Sequence, residues 1–177
     1  MLENTTYLDL RYDFSFKKIF LDENDPDILI SFINSMLPEQ FGSVTDIQFS
    51  PGEHFGDIPA DREVIFDVFC HNQRGEKFII EMQRSKQAFF MDRIVFYAST
   101  AMVEQGVKGE WDYQLMPVFV ICLLDFVISN RKKTLQYFRD AVFMDYCTKE
   151  IIYDKIHLLI VELPIFAKSI DELTTDR

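Results

Sequence analysis

The sequence predicts an α/β fold in which helices flank a mixed sheet on both faces and extra strands follow toward the C-terminus. Three features carry this reading. Residues 118–124, Val-Phe-Val-Ile-Cys-Leu-Leu, are apolar at every position, the pattern of a central strand shielded on both sides. Residues 64–70 and 77–83 are rich in β-branched and aromatic side chains and flank Gln73-Arg74-Gly75, which predicts a hairpin. Three further stretches, before and after that hairpin, repeat apolar residues at helical spacing.

In chain order, Phe16, Ile19 and Phe20 define a short amphipathic helix over 13–20, with Asp13 expected as its N-cap. Asp25-Pro26 supplies a cap and a first-turn proline for a second helix. Ile28, Leu29, Phe32, Ile33, Met36 and Leu37 trace its buried face and Pro38 stops it. Residues 44–49 read as a strand. Residues 50–59, with Pro51, Gly52 and Gly56, read as a loop. In the hairpin, Gly75 occupies the left-handed position of a three-residue turn. Phe90, Ile94, Tyr97 and Ala101 mark a long helix over 89–105 that ends at Gly106. A polar turn at 129–133 is followed by extended segments at 135–144 and 156–163, and by a polar end over 171–177.

The chain has 177 residues, 48% of them hydrophobic, with six Gly and six Pro, which excludes disordered and collagen-like classes. The length predicts one domain over 1–177 with no interdomain linker. Cys70, Cys122 and Cys147 are far apart in apolar surroundings and resemble neither a disulfide framework nor paired ligands, so a reducing, cytoplasmic setting is expected. No signal peptide, membrane helix or organic cofactor is expected. Eighteen Lys and Arg against 29 Asp and Glu leave a net charge of −11, so any nucleic-acid contact has to use a local basic patch.

The hairpin carries the chemistry. A three-residue turn pairs Asn72 with Glu76, which places Asp67 directly across from Glu81, with Gln83 two residues further along the same face. Two opposed carboxylates among Ile65, Phe69 and Ile79 repel and are poorly solvated, and a hard divalent cation would compensate both effects. The other reading puts both acids in water beside Arg62, Lys77 or Arg84.

At Arg62-Glu63-Val64-Ile65-Phe66-Asp67-Val68, Gly75-Glu76-Lys77-Phe78-Ile79-Ile80-Glu81-Met82-Gln83 and Phe89-Phe90-Met91-Asp92-Arg93 with Tyr97, the chain resembles the PD-(D/E)xK nuclease family transposases, or recombination-promoting nuclease-like proteins. The resemblance extends upstream through Asp13-Phe14-Ser15-Phe16-Lys17-Lys18-Ile19-Phe20 and downstream through Gly109-Glu110-Trp111-Asp112-Tyr113 to Glu162-Leu163-Pro164. It implies a restriction-endonuclease-like αβββαβ core. It also implies a DNA endonuclease using Mg²⁺, or Mn²⁺, in which Asp67 and Glu81 hold the metal and the Met82 carbonyl adds a ligand. Gln83 stands where the superfamily has lysine, and it would position the attacking water without supplying charge. Asp13 is a further candidate acid. The helical C-terminal region of the family is expected to be missing here.

Arg84, Lys86 and Arg93 cluster beyond the hairpin and are the expected DNA contacts; for Arg93 an ion pair with Asp92 or Glu104 is the competing reading. DNA is the expected partner, a homodimer is left open, and no membrane partner is expected. The contrasting hypothesis is a catalytically degenerate nuclease fold that serves as a DNA-binding or protein-interaction module. His54, His71 and His157 lack ligand spacing, and Trp111 and Tyr113 are assigned no site.

Overall fold

The computed structural model describes residues 9–50, 53–54, 64–128 and 136–167. Helices α1 (Asp13–Phe20) and α2 (Asp27–Met36) come first. Five strands follow: β1 (Ile47–Phe49), β2 (Glu53–His54), β3 (Val64–Ile65), β4 (Val68–Asn72) and β5 (Lys77–Gln83). Helix α3 (Phe90–Val103) then leads to β6 (Val118–Leu124), β7 (Phe138–Met144) and β8 (Ile151–Glu162). Six strands form one mixed sheet in the order β1-β4-β5-β6-β8-β7, and β2 pairs with β3 separately.

The sheet separates two cores. Phe16, Phe20, Leu29, Ile33 and Leu37 from the first two helices pack against Val68, Cys70, Phe78, Ile80, Phe119 and Ile121 on one face. Phe90, Ile94, Ala98 and Ala101 of α3 cover Phe69, Ile79, Val118, Val120, Cys122 and Leu124 on the other. Strand β6 therefore sends alternate residues into both cores and lies between two parallel neighbours, as a wholly apolar strand requires.

The β4–β5 hairpin has the expected register: Val68 pairs with Ile80, Phe69 with Ile79, Cys70 with Phe78 and His71 with Lys77. Its turn is closed from Gly75 N–H to the Asn72 carbonyl at 2.9 Å, and Gly75 has φ +81°. The Asn72 side-chain oxygen also accepts from the N–H groups of Arg74 and Glu76, the local bonding that suits Asn to a turn entrance.

Several expectations are corrected. Tyr12, in extended conformation, is the N-cap of α1; Asp13 is the first helical residue, and its carboxylate instead takes Lys17, one turn on, at 2.9 Å. Pro26 caps α2 rather than occupying its first turn, and Ile28, on the flank of the buried stripe, is 51% exposed. The strand expected over 64–70 is interrupted at Phe66 and Asp67: β3 leaves to pair with β2, and only β4 continues in the main sheet. Phe66 enters the α3 core together with Phe69, which strict alternation forbids and a bend permits. The last strand starts at Ile151, five residues earlier than expected, because residues 151–155 find a partner in β7 beyond the end of β6. Cys147 is exposed in the turn before it, whereas Cys70 and Cys122 are buried. Within the expected loop over 50–59, Glu53–His54 form a short strand. The rest of that loop apart from Ser50, the turn at 129–133, Arg62 and the end at 171–177 lie outside the described residues.

Candidate active site

Extending the pairing of Val68 with Ile80 by one residue brings Asp67 opposite Glu81, at the point where the strand is interrupted. The Asp67 N–H donates to Glu81 Oε1 at 3.2 Å, and the Met82 N–H donates to Asp67 Oδ2 at 2.9 Å. Glu81 and Gln83 project toward α3, whereas the Asp67 carboxylate approaches in the plane of the strands, standing where a ladder partner would be. Backbone alternation turns the Met82 peptide groups toward this side, since those of Lys77 and Gln83 bond toward β6.

Glu81 is 6% exposed. Burial, and next the like charge of Asp67, push its carboxyl up to about 8. Asp67 also lies above the ordinary carboxylate range, chiefly through burial, against which the Met82 N–H and Lys17 act. Neither acid is a solvated strand charge: Lys77 pairs with Glu104 at 3.6 Å, and Arg84 lies over the Tyr12 ring at 4.1 Å.

Two cations border the pair. Lys17 Nζ is 3.7 Å from Asp67 and is held from behind by Asp13, so Asp13 reaches the site through this lysine. Arg93, one turn before Tyr97 on α3, donates to the side-chain oxygens of Gln83 and Gln87, both at 2.5 Å, rather than pairing with Asp92 or Glu104. Its Nε is buried without a hydrogen-bond partner among the described residues. Its charge favours ionised Glu81. The Gln83 amide nitrogen donates to the Ser85 carbonyl. Lys86 is turned away, its Nζ 3.2 Å from the Ile128 carbonyl. Thus Asp67, Glu81, Met82, Gln83 and Arg93 converge, Asp13 stands one residue removed, and Arg84 and Lys86 lie beyond the end of β5. Sequence reasoning misses Lys17, whose one signal is its spacing of one helical turn from Asp13.

A family model described as PD-(D/E)XK nuclease family transposase matches residues 10–177. The chain belongs to this family. No curated protein and no solved structure matches it significantly. The mixed six-stranded sheet with its three flanking helices is consistent with the restriction-endonuclease-like fold of PD-(D/E)XK nucleases.

Family membership implies a divalent metal. Among the described residues no group of three or more His, Cys, Asp and Glu side chains is placed to hold one. The acids supply only a pair, but two carboxylates, one of them the buried Glu81 that burial and Asp67 keep protonated, are oxygen ligands that suit a hard cation. Among the described residues no helix is long and apolar enough to cross a membrane.

Proposed function

We propose that this nuclease-like domain is a DNA endonuclease that hydrolyses phosphodiester bonds with a divalent cation, Mg²⁺ or Mn²⁺. One observation carries the reading: a sheet interruption sets Asp67 beside buried Glu81, and the two are tied through backbone N–H groups of each other's strand. Asp67, Glu81 and the Met82 carbonyl would hold the cation. When bound, it would lower the pKa of a coordinated water and offset charge on the phosphate.

This chain's own residues do the remaining work. Gln83, fixed at its oxygen by Arg93, orients the attacking water. Hydrolysis forms a bond from that water's oxygen to phosphorus and breaks the bond from phosphorus to a sugar oxygen. The departing oxygen keeps the electron pair, the water's proton passes to solvent, and the sugar oxygen regains a proton. Arg84 and Lys86 serve as backbone contacts for the DNA, local positive charge on a chain of net charge −11. Plasmid nicking in Mg²⁺ or Mn²⁺ tests the reading. Wild type should nick and Asp67→Ala should not; equal nicking, or none from either, overturns it.

The rival reading, a nuclease fold kept as a DNA-binding or protein-interaction module, is favoured by Gln83, an uncharged side chain at the superfamily's lysine position. Calorimetry with Mn²⁺ separates the two. Binding that disappears in Glu81→Ala supports the endonuclease, and no binding supports the module.

A further inference from the structure

We propose that Lys17, on the first helix, is a catalytic residue of this site, placing an ammonium against the scissile phosphate where Gln83 can place no charge. The inference rests on the endonuclease reading. Two observations carry it. Lys17 Nζ lies 3.7 Å from Asp67 and 2.9 Å from Asp13, so an ammonium stands at the mouth of the acid pair. Among the described residues no other nearby cation makes an ion pair with Asp67 or Glu81: Arg93 bonds Gln83 and Gln87, Arg84 lies over the Tyr12 ring, Lys86 reaches the Ile128 carbonyl, and Arg11 pairs with Asp9 and Asp125.

The local fold explains the placement. Phe16 and Phe20 are buried in the core between α1 and the sheet and fix the rotation of this short helix. Lys17, next to Phe16, therefore emerges at the helix flank facing Asp67, with its side chain still 37% exposed and open to an incoming strand. Asp13, one turn earlier, restrains the ammonium without enclosing it, since Asp13 itself is 68% exposed.

Among the described residues, Lys17 is the one cation in an ion pair with Asp67. Asp67 and Glu81 would hold a divalent cation, whose charge would stand in for that of Lys17. The ammonium then has donors to spare for a non-bridging phosphate oxygen, one donor remaining on Asp13. As the water's oxygen bonds to phosphorus and the bond to the leaving sugar oxygen breaks, negative charge builds on the non-bridging oxygens, and the ammonium stabilises it. Lys17 neither gains nor loses a proton. Such a role predicts opposite effects on metal and on rate, because the charge that helps the phosphate also repels the metal.

The full-length protein decides this through Lys17→Gln and Lys17→Arg, with nicking kinetics and Mn²⁺ calorimetry measured on each. For Lys17→Gln the expected result is a fall in kcat of about 100-fold with KM changed less than about threefold. Mn²⁺ affinity should be equal to or tighter than wild type, and Lys17→Arg should recover at least about a tenth of the rate. Nicking by Lys17→Gln within about threefold of wild type overturns the inference. So does weakened Mn²⁺ binding that falls together with the rate, or an equal loss in Lys17→Arg. If Lys17→Gln does not fold, the recovery in Lys17→Arg decides alone. Wild type that binds Mn²⁺ yet nicks nothing overturns the endonuclease reading itself and takes the inference with it, a result distinct from the others.

Discussion

The Met82 N–H donates to Asp67 Oδ2 at 2.9 Å, so a carboxylate stands where β5 would otherwise find a strand partner. This holds Asp67 beside Glu81, whose carboxyl is pushed up by burial and then by the like charge of Asp67.

The cost of that proximity depends on pH. With its pKa pushed from 4.5 up to about 8, first by burial and then by Asp67, Glu81 keeps a proton in the folded state that the unfolded chain releases. Its stabilising contribution is full below 4.5 and is lost as pH rises toward 8, with a slope of up to about 1.4 kcal/mol per pH unit. Wild type in chelator should therefore lose melting temperature between pH 5 and pH 8 more steeply than Glu81→Gln. Parallel curves would refute this.

Gly75 takes φ +81° in the hairpin turn, and an added Cβ would meet only Met116 Cγ at 3.7 Å, an ordinary contact. The penalty of Gly75→Ala is then backbone conformation alone, about 1 kcal/mol, with Gly75→Asn costing less. Denaturant unfolding measures both, and equal losses would rule out this account.

Glu162 has no exposure; it pairs with Arg139 at 2.7 Å and accepts the Ile128 N–H at 2.6 Å. Arg139→Ala leaves the carboxylate buried and uncompensated and should cost about 3 kcal/mol. Glu162→Gln keeps an acceptor without the charge and should cost less. Chemical denaturation of the two variants checks the order.

His157 is buried, with Nδ1 2.8 Å from Asp140 Oδ1 and Nε2 2.9 Å from the Asp154 carbonyl. Burial pulls its pKa down, but the hydrogen bond and charge of Asp140 together with Asp154 outweigh this and raise it above 6.5. The pair's stabilisation is full below 6.5 and is lost as pH climbs through the raised value. The gap in melting temperature between wild type and Asp140→Asn should narrow from pH 6 to pH 9. A constant or widening gap would exclude the ion pair.

Local chemistry made much of this legible from sequence. A glycine closing a three-residue turn sets the β4–β5 register, and that register brings Asp67 to Glu81. The unbroken apolar run of β6 could only be central. The break at Phe66 and Asp67 is hard to read because residues 64–70 are strand-like apart from Asp67, and what ends the strand is a competing partner, β2. The first five residues of β8 include Asp154 and Lys155, and only pairing with β7 makes them a strand. Lys17 read as one more solvated helix charge, since its neighbour Asp67 comes from a distant part of the chain.

Asp67 and Glu81 are only 14 residues apart in sequence, whereas the strand paired beside Glu81, β6, arrives after the whole of α3. Closing the hairpin loop is entropically cheap and the parallel crossover is slow. The acids are therefore expected to meet while still hydrated, with the desolvation that keeps a proton on Glu81 arising only when α3 and β6 expel the water. That delay spares the folding nucleus an electrostatic barrier and shifts it to a later step. Turn variants at Gly75 should slow refolding, whereas Glu81→Gln should slow unfolding and leave the refolding rate unchanged, a division that stopped-flow chevrons resolve.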